Sequence, residues 1–230
     1  MKNLLPQEEW LKKRPAKELI ESIFINASTQ WLKHPNCLII TGPNLKRHIN
    51  SISPIMPRSL VVVEREEKYF KSILKQTKRF LYPPYNLKLI FGDVKNIPTK
   101  GIEYLDLDLM ATVDTSIDLI CQKFIEQASS KKKHKAFIFT FSGRKTSSEK
   151  IINAINKVLS HINVEISGFD GFNNGFGWGT RCLPPRGIRS LHCNEHSPNI
   201  IKRSFKLRNL KCFRYSDTHQ PMVSVMIIYI

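Results

Sequence analysis

Cys37-Leu38-Ile39-Ile40-Thr41-Gly42-Pro43-Asn44 is a short apolar run closed by a tight turn, with Asn44 placed to cap a helix over residues 44–51. This reads as strand, turn, helix, and the pattern recurs along the chain. Residues 59–63 form a strand rich in β-branched side chains that ends at Glu64, and residues 66–80 space Tyr69, Phe70, Ile73 and Leu74 as a helix does. A third strand, 87–91, runs into Gly92-Asp93, and a fourth, 102–106, runs into Asp108 with a helix over 115–127 behind it. A fifth, 136–141, ends in Ser142-Gly143 ahead of a helix over 147–159. Strands separated by helix-length connections need right-handed crossovers, so the expected class is α/β, a doubly wound and mainly parallel sheet with helices on both faces.

Outside this core, residues 10–33 have helical spacing, with Pro15 as a break or first turn, and form a lid or layer over the sheet. Residues 211–215 and 221–229 are two strand-like runs joined by a short polar connection, an antiparallel hairpin that brings the expected strand count to seven. The domain division that follows is an N-terminal helical segment, 1–36, and one domain over 37–230 with an irregular insertion at about 166–206.

The formal charge is +17 and is uneven: residues 131–230 hold 17 Lys/Arg against 5 Asp/Glu. Such a field attracts polyanions, because each neutralised phosphate releases condensed counterions, so nucleic acid or a protein partner is expected on the basic C-terminal half. Five scattered cysteines argue against a disulfide framework. No apolar run approaches the ~20 residues of a membrane span, and the expected location is the cytoplasm.

The acidic strand ends carry the functional reading. Five strand–helix units and a terminal hairpin, with carboxylates at the strand ends, resemble the class I S-adenosylmethionine-dependent methyltransferases over residues 37–230. The resemblance implies S-adenosylmethionine as cofactor, with Thr41, Gly42 and Asn44 in the turn beneath it. It implies Glu64 on the ribose hydroxyls and Asp93 near the adenine amine. Both positions suit an ionised carboxylate, which only accepts hydrogen bonds. The end of the fourth strand, where Asp106 and Asp108 share one face and Leu105, Leu107 and Leu109 the other, falls near the methyl group and substrate. A carboxylate there can take a proton from a substrate amine or orient it.

Ser142, Arg144 and Lys145 follow the fifth strand at the same edge and are candidates for substrate phosphate. Phe176 and Trp178, in a loop interleaving aromatics with glycine and asparagine, suit stacking of an extruded base. The Lys131–Lys135 run reads as a solvated loop with a possible phosphate contact, and Tyr82-Pro83-Pro84-Tyr85 as a turn. Cys182, His192, Cys193 and His196 have metal-ligand chemistry but not the spacing of a zinc site, and no metal is expected. Two alternatives stay open. A methyltransferase-like binding module without catalysis fits the single glycine followed by Pro43, which has no N–H to offer. A Mg²⁺-dependent nuclease fits the paired acids.

Overall fold

The computed structural model describes residues 15–40, 42–78, 85–130, 133–143, 146–170, 172, 180–181, 192–217 and 220–230. Pro15 opens the first helix, α1 (Pro15–Thr29), where its missing N–H costs nothing. Then β1 (Asn36–Ile40) leads to α2 (Leu45–Ile52), β2 (Ser59–Glu64) to α3 (Glu67–Thr77), and β3 (Asn86–Phe91) through a short turn to β4 (Tyr104–Thr112). Next come α4 (Val113–Ala128), β5 (Lys135–Ser142) and α5 (Ser148–Leu159). The remainder is all strand: β6 (Glu165–Phe169), β7 (Thr180–Arg181), β8 (His192–His196), β9 (Pro198–Lys202), β10 (Leu207–Asp217) and β11 (Gln220–Tyr229).

Nine strands make one sheet in the order β3-β2-β1-β4-β5-β11-β10-β8-β7. From β3 to β5 every pairing is parallel, and β11 then enters antiparallel between β5 and β10. Two short strands, β8 and β7, extend the sheet beyond the seven strands expected, and β6 and β9 pair separately. Much of the stretch expected to be irregular, 166–206, thus holds strand. These strands are short, and β9 alternates only partly buried and exposed positions.

All eight residues of β5 are buried, because helices cover both faces of the central strands. Leu105, Leu107, Phe137, Phe139 and Phe141 face α4 and α5, whereas Ile39, Leu60, Val62, Ile138 and Met226 face α1 and α2. Phe24 of α1 meets Phe213 of β10 edge to face, with ring centroids 5.4 Å apart. Deep in the β5–β11 seam the Thr140 and Ser224 hydroxyls satisfy each other at 2.6 Å. Asn44 caps α2 by accepting the Arg47 N–H at 3.2 Å, and Ser147 caps α5 from the Lys150 N–H at 3.2 Å. The parallel strands therefore all deliver their carboxyl ends to one edge, where the turns after β1, β2, β3 and β5 collect.

β4 runs six residues past the expected end, because packing on both sides overrides the poor strand preference of its two aspartates. Leu107, fully buried at its centre, has no room to collapse. Leu107→Ala is expected to cost about 2–5 kcal/mol, read as a fall in the urea midpoint at unchanged m-value.

Candidate active site

The sheet order reverses direction between β1 and β4, and open α/β sheets form a ligand crevice beyond the carboxyl ends of the strands at such a point. In register, Asp106 lies beside Ile39 of β1, and Asp108 stands one pleat further on, opposite Thr140 of β5. Asp108 thus sits past the end of β1, at the reversal itself.

Sequence reasoning missed what meets these acids. Lys17 of α1 reaches down to pair with Asp108, and its ammonium also lies 3.8 Å from Glu21 one turn along the same helix. From α2, Arg47 donates to Glu21 at 2.7 Å and lies 3.5 Å from Glu18. The side chains of Lys17, Glu21, Arg47 and Asp108 are 9–13 % exposed, so this is a buried network rather than a solvated face. Spacing alone could have flagged Lys17 and Glu21 as an i, i+4 pair, but not their partners on other elements.

The network divides its groups by charge state. Burial pushes the Glu21 carboxyl up, but His48, Lys17 and Arg47 together outweigh this and hold it below the usual carboxylate range. Asp106 goes the other way: burial, reinforced by repulsion from Glu21 and Asp108, pushes its pKa up to about 8 against the pull of Lys17 and Arg47. Burial pushes His48 down to about 4, with Lys17 and Arg47 acting in the same sense. At neutral pH, Asp106 and His48 are therefore neutral groups beside two ion pairs.

On the opposite side of β1, Glu64 ends β2 almost wholly buried, at 6 % exposure. Its Oε1 accepts the Glu66 N–H at 2.8 Å. Burial still pushes its pKa up against the Glu66 and Arg65 N–H groups. Asp93, after β3, caps the turn at Val94–Asn96 by accepting the Lys95 N–H at 2.9 Å, and its side chain is 35 % exposed. The turn after β1 is fixed from α3: the Gln76 amide donates to the Pro43 carbonyl at 2.5 Å and accepts the Lys46 N–H at 3.3 Å. Gly42 and Asn44 flank that clamp, with the Asn44 side chain committed to its cap.

Ser142 is buried at the end of β5, in register with Met222. Thr41, Lys131, Lys132, Arg144, Lys145, Phe176, Trp178, Cys182 and residues 82–84 lie outside the described residues. The side chains of His192 and Cys193 do too, while His196 bonds the Asp170 carbonyl at 2.9 Å and packs edge-on to Phe172. Among the described residues no group of three or more His, Cys, Asp or Glu is placed to hold a metal ion, and no helix is long and apolar enough to cross a membrane. The carboxyl edge therefore gathers Gly42, Asn44, Glu64, Asp93, Asp106 and Asp108 around one reversal point.

No family model matches the sequence, and no curated protein matches it. Solved structures do share the fold. SMU.776, classed as a methyltransferase and solved with SAH, superposes with a TM-score of 0.56 at 10% identity, covering 94% of this chain and 49% of that one. A Streptococcus mutans protein classed as a SAM-dependent methyltransferase gives 0.53 at 9% identity, with coverage of 94% and 49%, so this chain spans about half the length of both. The fibrillarin/Nop5p complex gives 0.52 at 8% identity, covering 94% of this chain and 83% of that one. The chain has the fold of the class I methyltransferases.

The raised pKa of Asp106 fixes the sign of a pH effect. Between the ordinary 3.8 and about 8 the folded state holds a proton that the unfolded chain releases, so the wild type loses stability as pH rises through that window. Asp106→Asn has no proton to lose. Its urea midpoint is expected to gain on the wild type from pH 5 to 8 and to run parallel above about 8.

Proposed function

We propose that the chain is an S-adenosylmethionine-dependent methyltransferase acting on nucleic acid, with residues 37–230 as its catalytic unit and residues 1–36 as an N-terminal segment. One observation carries this reading: Glu64 is a buried carboxylate at the end of β2, beside the reversal point, held among the described residues by backbone N–H groups alone. A ribose diol offers further donors to such a group. Asp93, still partly exposed after β3, is the acceptor for the adenine amine. Thr41, Gly42 and Asn44 are assigned to the cofactor as well. SMU.776, with the same fold, was solved with SAH, in keeping with S-adenosylmethionine as the group this edge holds.

The bound cofactor supplies an activated methyl group on a sulfonium, so the protein's own work is alignment and removal of a proton. Asp106 fits the second task in its ionised form, the fraction of which grows as pH rises toward about 8. Asp108, fixed by Lys17, fits the first. Ser142, Arg144 and Lys145 are assigned to substrate phosphate, Phe176 and Trp178 to base stacking. The scattered cysteines, with Cys37, Cys121 and Cys212 free and buried, support a reducing cytoplasmic setting.

A second reading, a binding module of the same fold without catalysis, is favoured by the Lys17–Asp108 pair at the reversal point and by Pro43 in the turn. Calorimetry separates the two. The enzyme is expected to bind S-adenosylmethionine, and Glu64→Gln to weaken binding about tenfold or more, the worth of one charge-assisted hydrogen bond. Absence of binding heat leaves the second reading.

A further inference from the structure

The carboxyl edge mixes both signs: Glu64, Glu66, Asp93, Asp106 and Asp108 stand there with Arg65 and Lys95. Among the described residues, a row of six cations lines the opposite edge, where the strands begin. In spatial order they are Arg58 before β2, Lys33 before β1, Lys100 ahead of β4, Lys133 before β5, and Arg203 and Lys206 before β10. All but Lys206 are exposed, and Lys206 is partly so. Of the six, only Lys133 forms an ion pair among the described residues, with Glu103 at 2.8 Å. From β2 to β10 is five strand spacings, so these loops extend over about 24 Å.

In the same row stands Phe205, 81 % exposed. The turn that carries it is braced by Leu207 N–H to the Ser204 carbonyl at 3.1 Å, Ile230 N–H to the Lys206 carbonyl at 3.0 Å, and the Arg208 guanidinium to the Phe205 carbonyl at 3.0 Å. Arg208 also lies over the Trp31 ring at 5.8 Å, and Trp31 meets His134 at 5.0 Å, which ties the turn to the end of α1 and the start of β5. An aromatic ring exposed on a hydrogen-bonded turn, in a line of mostly unpaired cations, is the arrangement that stacks a base while neighbouring cations track the phosphates.

We infer that the amino edge of the sheet is a docking surface for single-stranded nucleic acid, with Phe205 as its stacking platform and Arg58, Lys33, Lys100, Arg203 and Lys206 as its phosphate contacts. The proposal rests on the proposed function for the class of partner, but not for any part of the cofactor site. It places the polyanion across the sheet from the methyl-transfer edge, so a substrate must be long enough to reach around, or is held by one part and modified at another. A row of cations over several loops fits a linear polyanion better than a membrane, which calls for a cluster of apolar anchors at one depth.

The test is fluorescence anisotropy with a labelled mixed-sequence 20-nucleotide RNA at 50 and 200 mM NaCl. The triple variant Arg58→Ser, Arg203→Ser, Lys206→Ser is compared with Lys68→Ser, Lys71→Ser, Lys75→Ser on α3, which removes the same net charge. The edge triple is expected to weaken binding at least tenfold and to lower the salt slope by roughly 2, at about 0.7 per single-strand phosphate contact. The α3 triple should change affinity less than threefold. Phe205→Ala should weaken single-strand binding about fivefold or more and leave duplex binding nearly unchanged. Thermal melts verify that each variant is folded. Equal losses from the two triples, or RNA binding indifferent to Phe205, overturn the proposal, as does Phe205-dependent sedimentation with phosphatidylserine vesicles in the absence of RNA binding. Calorimetry with S-adenosylmethionine on the same proteins keeps the two readings apart. RNA binding at this edge without cofactor heat removes the methyltransferase and leaves the surface; cofactor heat with RNA binding unaffected by the edge removes the surface alone.

Discussion

Two aspartates on a central, doubly covered strand have to be compensated, and that requirement organises the carboxyl edge of this molecule. A carboxylate taken out of water in such a place is held only if it is neutralised or paired. Here both solutions occur two residues apart: Asp106 is held in its protonated form, and Asp108 is paired with Lys17. The pairing draws α1 across the sheet, and Glu21 on the same helix then needs Arg47 from α2. The N-terminal helix is thus docked at one end by electrostatics and along its length by Phe24 and its apolar neighbours. Breaking any one pair leaves its partner buried and uncompensated, so these residues act as a set.

The same arrangement bears on chemistry. A site that moves a proton needs a group poised near neutral pH, and a site that aligns a substrate needs one that does not move. The repulsion that raises Asp106 comes partly from Asp108 and Glu21, which the cations hold in place. The two roles depend on each other, and the second lobe of the site, Glu64 with Asp93, lies across β1 where that network does not reach. On the proposed reading, cofactor contacts and proton chemistry fall on the two sides of one strand.

Most of this fold could be read from the sequence, because it rests on local signals. The β-branched runs at β1, β2 and β5, the helical spacing of Tyr69, Phe70 and Ile73, and the caps Asn44 and Ser147 each specify their element without outside help. The division of β4 into a leucine face and an aspartate face follows from strand alternation alone. What could not be read depends on contacts far apart in sequence. Lys17 and Asp108 are separated by 91 positions, and nothing near either residue announces the other. Gln76 looks like an ordinary helix residue until it is seen holding the Pro43 carbonyl. The short strands β8 and β9 owe their existence to pairing rather than to pattern. Charge was legible as a total but not as a distribution, since only the topology shows that loops so distant in sequence share one edge.

The position of β11 sets an order on the making of this protein. It is the last of the described strands to be synthesised, yet it lies inside the sheet, with β5 on one side and β10 on the other. Until residues 220–229 emerge from the ribosome, β5 presents an unpaired and largely apolar flank, and β10 has no neighbour through which to join the parallel strands. A nascent chain therefore carries an open seam of the kind that invites pairing with other chains. Closure of that seam is a late, long-range event, and a message cut short before it yields a sheet in two halves.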